Sequence, residues 1–196
     1  MRTLLSVLAI LALATPIVAE EPAVNEAKPK TAVMIIANQN FRDEEFAEPY
    51  ALLTAAGVKV SVAAARKAPA QGMLGKTVTP DLALKDVDPA HYDAVIFVGG
   101  AGAQVYFNDP DAHRIAKSAV DQGKLLAAIC VAPATLANAG VLKGRKATCF
   151  PSVERLLTQG GATVVHQNVV IDGRIITAPG PQAAGPFGQA LVKALQ

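Results

Sequence analysis

The chain has 196 residues, 18 Lys+Arg against 16 Asp+Glu for a net charge of +2, 52% hydrophobic residues, 17% charged residues and no Trp. That length fits one domain with a short appendage, and an apolar, weakly charged composition excludes a disordered chain. Near-neutral charge without a Lys/Arg run excludes an electrostatic nucleic-acid binder, and the scattered 13 Pro and 15 Gly exclude a collagen-like repeat.

Residues 1–19 carry the layout of a secretory signal. Arg2 is followed by an apolar run from Leu4 to Ala14, then Pro16, and a small residue, Ala19, stands just before Glu20 and Glu21. The run is shorter than the ~20 residues of a membrane-spanning helix, so cleavage after Ala19 is expected rather than a permanent anchor. Residues 20–30 form a polar, Pro-containing leader with nothing to bury. The mature protein is therefore expected outside the cytoplasm, periplasmic or secreted, with no stable membrane association. In an oxidising compartment the two cysteines, Cys130 and Cys149, suggest one disulfide on number alone.

The remainder, 31–196, alternates strand and helix. Thr31–Ala37 is a continuous apolar run, as in a strand covered on both faces. A polar loop, Asn38–Asp43, leads to a helix over 44–56 ended by Gly57, and Val58–Ala63 follows as the second strand. Segment 66–89, with Gly72 and Gly75, predicts a small hairpin excursion. Further strands are expected at Ala94–Val98, Leu125–Ile129 and Lys146–Phe150, with helices at Asp111–Gln122, Ala134–Ala139 and Ser152–Gln159. Short strands at 163–165, 169–171 and 174–177 precede a closing helix over 183–195. Strand–helix units of this length predict an α/β three-layer sandwich, a mostly parallel sheet with helices on both faces. Sites in such sheets lie beyond the carboxyl ends of the strands.

Three loops at those ends carry reactive residue types. Cys130 sits where the strand Leu125–Ile129 runs directly into a helix. There its thiol would be exposed and its thiolate favoured by the helix N-terminus, or it would be a buried core cysteine. Gly99-Gly100 ends a neighbouring strand, either as a tight turn or as a close backbone N–H donor; GGAGAQ is not a dinucleotide fingerprint. Asp43, Glu44 and Glu45 open the first helix, where they complement its dipole, or one of them turns inward to the cysteine as a protonated partner. No Cys-x-x-Cys, His-Glu-x-x-His or Walker loop is present, so neither a metal nor a cofactor is expected. His91, His113 and His166 read as surface residues.

Phe41–Pro49 (FRDEEFAEP), Val98-Gly99-Gly100, Ala127–Pro133 (AAICVAP) and Val170–Thr177 (VIDGRIIT) occur in this order, and together they resemble the PfpI superfamily. That group holds intracellular cysteine peptidases and parkinsonism-associated protein deglycases on a flavodoxin-like fold similar to class I glutamine amidotransferase domains. The resemblance implies Cys130 as nucleophile on a strained elbow and Glu45 as its partner carboxyl. It further implies Gly100 and Val131 as backbone donors, with Asp43 and Glu44 left as surface or capping residues. It also implies a homodimer or larger homo-oligomer. Val131 stands where peptidase-like members carry His, and Phe150 where the deglycase branch often carries one, so a Cys-His-acid triad is not implied. The segment Thr177-Ala178-Pro179-Gly180-Pro181 lacks the Arg common in the family. Cys149 is a candidate resolving thiol for Cys130. The implied function is a cofactor-independent glyoxalase or deglycase acting on small carbonyl compounds. A cysteine peptidase or amidase acting on peptides, and a non-enzymatic oxidative-stress sensor or chaperone-like protein using oxidation of Cys130, are the alternatives.

Overall fold

A computed structural model describes residues 28–196. The expected signal segment, 1–19, and residues 20–27 of the leader lie outside the described residues.

The strands are β1 (Thr31–Ile35), β2 (Gln39–Phe41), β3 (Lys59–Ala64), β4 (Ala70–Gly72), β5 (Thr77–Val78), β6 (Leu82–Ala83), β7 (Ala94–Phe97), β8 (Leu125–Ile129), β9 (Lys146–Ala147), β10 (Thr163–Val164), β11 (Val170–Asp172) and β12 (Ile175–Ala178). The helices are α1 (Asp43–Ala55), α2 (Pro110–Asp121), α3 (Pro133–Asn138), α4 (Glu154–Gln159) and α5 (Ala184–Leu195). Seven strands form the central sheet in the order β11-β12-β8-β7-β1-β3-β6. All its pairings are parallel except the β11–β12 hairpin at one edge.

Burial explains why these segments are strands. All five residues of β8 (LLAAI) and all four of β7 (AVIF) are buried, as a sheet covered on both faces requires. Two helical groups cover it. α1 and α5 pack together against β3, β8 and β12; α2 packs on β7, β8 and α3. The sandwich and its mostly parallel sheet are thus as the alternation of strands and helices predicts. Among the described residues no helix is long and apolar enough to cross a membrane.

Helix starts follow local chemistry. α2 begins one residue before the predicted Asp111 because Asp109 accepts a hydrogen bond from the Ala112 N–H at 2.9 Å and Pro110 takes the first helical position. The predicted excursion is the β4–β5 hairpin, and β2, inside the expected polar loop 38–43, joins it as a separate three-stranded sheet. Tyr106, fully buried, donates its hydroxyl to Ile36 O and accepts the Ala65 N–H, each at 2.8 Å. This pins the short helical segment Ala101–Tyr106 over the ends of β1 and β3 and fixes the turn at Gly100 before it.

One strand is shorter than predicted. Of Lys146–Phe150 only β9 is regular, and it pairs with β10 in a two-stranded sheet outside the central one. The next residues spend their N–H groups on other partners: Thr148 donates to Thr177 Oγ1 at 2.9 Å, and Phe150 to the carbonyl of Cys130 at 2.8 Å. The strand ends early because the chain turns to support the cysteine.

Candidate active site

Cys130 follows β8 and has φ +64°, a left-handed backbone that a non-glycine residue adopts at a cost of about 1–3 kcal/mol. Both of its peptide groups are held: its N–H donates to Ala178 O at 2.9 Å, and its carbonyl accepts the Phe150 N–H. These bonds to β12 and to the segment after β9 impose the elbow and aim the side chain out of the strand end.

Two glycines at the end of β7 make room for it. A Cβ on Gly99 would collide with the Glu45 carboxylate, the Cys130 Cβ and the Ile129 carbonyl. Gly100 has φ +99°, and a side chain there would strike the backbone of Asn40–Arg42. The backbone N–H groups of Gly100 and Val131 both act on the Cys130 sulfur. The tight turn and the donor are therefore the same structure.

Of the three acids, Glu45 turns inward. It is fully buried, and neither carboxylate oxygen has a well-aligned hydrogen-bond partner. The Cys130 thiol and the Gly99 N–H are near enough to stabilise its charge but not enough to offset dehydration. Burial pushes the Glu45 carboxyl up to about 7, with Cys130, Arg42 and Gly99 pulling the other way. The thiol of Cys130, 8% exposed, is pushed up to about 12, first by burial and then by the Glu45 charge; the Gly100 and Val131 N–H groups oppose this. Of the two readings of Cys130, an exposed thiolate at a helix N-terminus and a buried cysteine, its burial fits the second: dehydration outweighs the single short helix α3. The two groups are a coupled acid pair whose first proton leaves near neutral pH and whose second leaves far above it.

Asp43 and Glu44 differ from one another. Glu44 holds Arg42 in a two-point ion pair, Nε to Oε2 at 2.8 Å and Nη2 to Oε1 at 3.0 Å. Asp43, expected on the surface or as a cap, is instead buried and accepts the N–H groups of Leu74 (2.8 Å) and Lys76 (2.7 Å). Gly72 leaves the space for its carboxylate. The β4–β5 tip is thereby tied to the start of α1. Asp43→Ala is expected to cost about 1–3 kcal/mol in urea denaturation, because two part-buried hydrogen bonds to a buried charged acceptor are lost. Faster hydrogen exchange at the Leu74 and Lys76 amides would place the loss.

Arg42, Glu45, Met73, Gly100, Ala101, Gln104, Cys130, Val131, Phe150, Ser152 and Pro181 enclose a cleft of about 280 Å³. It joins Cys130, Glu45, Gly100 and Val131 as the sequence anticipated. Sequence reasoning missed Arg42, which lies inside the FRDEEFAEP segment, and Met73, which the Asp43 anchor presents. Phe150 forms a half-open apolar wall, 42% exposed.

None of the histidines lines the cleft. His91 and His166 are exposed, and His166 sits 3.5 Å from Glu154. His113 is half-buried rather than exposed, with Nε2 2.8 Å from Phe107 O. Cys149 is buried and free, and opens onto a different cavity, with Glu154 and His166. Burial and the Glu154 charge push its thiol up to about 12. Cys149 and Phe150 are consecutive and line different cavities, and both cysteines are free. Among the described residues no group of three or more His, Cys, Asp or Glu is placed to hold a metal ion.

Comparison with known proteins places this arrangement. The model of the DJ-1/PfpI family matches residues 30–194. The chain is 33% identical over 164 residues to a deglycase of Pyrococcus abyssi, covering 84% of this chain and 99% of the relative. It is 31% identical over 167 residues to a glutathione-independent glyoxalase of Caenorhabditis elegans, covering 85% and 89%. Among solved structures, a ThiJ/PfpI domain protein from Brachyspira murdochii superposes with a TM-score of 0.84 at 34% identity, covering 86% of this chain and 98% of that one. DJ-1beta of Drosophila melanogaster gives 0.79 at 30% identity, covering 86% and 91%. Sequence and three-dimensional likeness both extend over nearly all of the described fold, and the chain belongs to the DJ-1/PfpI family.

Proposed function

We propose that this protein is an exported, cofactor-independent enzyme of the glyoxalase or deglycase type, with Cys130 as nucleophile and Glu45 as proton carrier. The observation that carries the reading is the Glu45 carboxyl, buried without a good hydrogen-bond partner against the one cysteine that opens into the cleft. The names of the Pyrococcus and Caenorhabditis relatives support the same class of chemistry.

When the pair has lost one proton, the remaining one can sit on Glu45 and leave the sulfur anionic. The sulfur adds to an aldehyde carbon: the C–S bond forms and the carbonyl π pair moves to oxygen. That oxyanion meets the Gly100 and Val131 N–H groups and takes the proton from Glu45. Glu45, now a carboxylate, removes the C–H proton of the adduct to give an enediol and returns it to the neighbouring carbon, while the hydroxyl proton beside sulfur passes to the neighbouring oxygen, leaving a thioester carbonyl. Water then cleaves the resulting thioester, so an α-oxoaldehyde plus water becomes a 2-hydroxy acid.

The purified protein, without glutathione or added metal, is expected to consume methylglyoxal saturably. Hydrolysis of peptides instead would move the assignment to a peptidase, which the Val131 and Phe150 positions disfavour by leaving the cleft without an imidazole. Peroxide-dependent gain of oxygen on Cys130 with no carbonyl turnover would make it a redox sensor.

The export half of the proposal rests on residues 1–19 alone. Protein recovered from outside the cytoplasm should begin at Glu20. An intact mass retaining Met1–Ala19 in the cytoplasmic fraction would refute it.

A further inference from the structure

Among the described residues only two charged side chains line the cleft, Glu45 and Arg42. The guanidinium has five N–H donors, and Glu44 occupies Nε and one on Nη2. Among the described residues Nη1 makes no hydrogen bond, so three donors, including the whole end-on edge of the fork, remain free. Two converging N–H groups on such an edge match the oxygens of a carboxylate. The rest of the wall is chiefly apolar, from Met73, Ala101, Val131, Phe150 and Pro181, with Gln104 and Ser152 as neutral polar groups. Arg42 is also near enough to Cys130 and Glu45 for both to act on its charge.

We propose that Arg42 recognises a carboxylate in this cleft, so that the preferred ligands are small carbonyl compounds that carry one, and the preferred substrates are α-oxoaldehydes bearing it further along the carbon skeleton rather than neutral dicarbonyls. The proposal rests on the carbonyl-addition reading above and adds to it the substrate class. The ion pair with Glu44 orients the fork and moderates its charge. The apolar wall accepts the carbon skeleton.

The test uses a matched pair, pyruvate and its neutral methyl ester, titrated into the whole mature protein by calorimetry, which needs no turnover. Wild type is expected to bind pyruvate about 10- to 100-fold more tightly than methyl pyruvate, the range a charge-assisted hydrogen-bond pair supplies. Arg42→Met keeps the aliphatic stem and should erase that preference, whereas Arg42→Lys should keep part of it. Glu44→Gln, which frees the guanidinium, should tighten pyruvate binding. Equal affinity for the two ligands in wild type, no binding of pyruvate, or a preference that survives Arg42→Met would overturn the assignment. A pyruvate preference in a protein that leaves methylglyoxal untouched would instead sustain Arg42 and remove the proposed turnover.

Discussion

Cys130→Ala should bring carbonyl consumption to background, a loss of about 10³-fold or more, because among the described residues no other thiol lines the cleft, and the Ser152 hydroxyl in its wall is a far weaker nucleophile near neutral pH. Cys149 cannot substitute from its separate cavity. The companion variant, Glu45→Gln, should lose about 10²-fold at pH 7 and change the pH profile. In wild type both protons sit on the pair below its first ionisation, and neither thiolate nor carboxylate is available. Activity should therefore rise with pH through about 7, the value to which burial raises Glu45. Without the carboxyl the first proton must leave the buried thiol itself, so the rising limb moves above the ordinary thiol range of about 8.5. A profile unmoved by Glu45→Gln would show that the carboxyl takes no part in the chemistry.

The same shift has a consequence for stability with the opposite sign. Glu45 binds its proton more tightly in the folded chain than in the unfolded one, where its pKa returns to the ordinary 4.5. Between about 4.5 and 7 the unfolded chain ionises and the folded one does not, so stability falls as pH rises through that window and then levels off. Glu45→Gln removes the penalty. The variant should be the more stable protein at pH 7.5, by a few kcal/mol, and should lose that advantage at pH 4. Gain of stability together with loss of turnover would mark the carboxyl as retained for chemistry.

Gly99→Ala is the second large effect. Gly99 is not in the left-handed region, so backbone freedom is not the issue. Space is the issue: its Cβ would lie 2.6 Å from the Cys130 Cβ and 2.7 Å from the Ile129 carbonyl, besides striking the Glu45 carboxylate. A strand-end carbonyl cannot yield without moving β8, so overpacking should cost about 1–3 kcal/mol and lower Tm by several degrees. Turnover should fall far more than stability, because the displaced atoms are the nucleophile and its proton carrier. Unchanged turnover in a folded Gly99→Ala protein would mean that the pair tolerates a displacement the packing forbids.

Much of this was legible in the chain. Buried strands such as Leu125–Ile129 betray themselves by unbroken apolar runs, and the elbow at Cys130 is implied by the resemblance that Ala127–Pro133 helps to carry. What could not be read depended on contacts distant in sequence. The burial of Asp43 needs the hairpin some thirty residues later to fold over α1 (its partners are Leu74 and Lys76). The early end of the 146–150 strand needs Cys130 and Thr177 as hydrogen-bond partners. The protonation of the thiol is left open by the sequence for a related reason. Local sequence suggests a helix N-terminus, whereas its protonation is decided by how much water the surrounding strands exclude. Arg42 does not stand out in the sequence because a cation beside three acids looks like a surface ion pair, which in part it is.

The clamping of Cys130 at both of its peptide groups bears on which adducts the site tolerates. With Ala178 and Phe150 gripping the backbone on either side, no hinge lies beneath the sulfur, and whatever is bonded to it can swing only about the side-chain torsions. Bulk must then be accommodated from outside, by the hairpin tip carrying Met73, whose tether is the Asp43 carboxylate. Size discrimination would be governed from a residue that touches neither the sulfur nor its cargo.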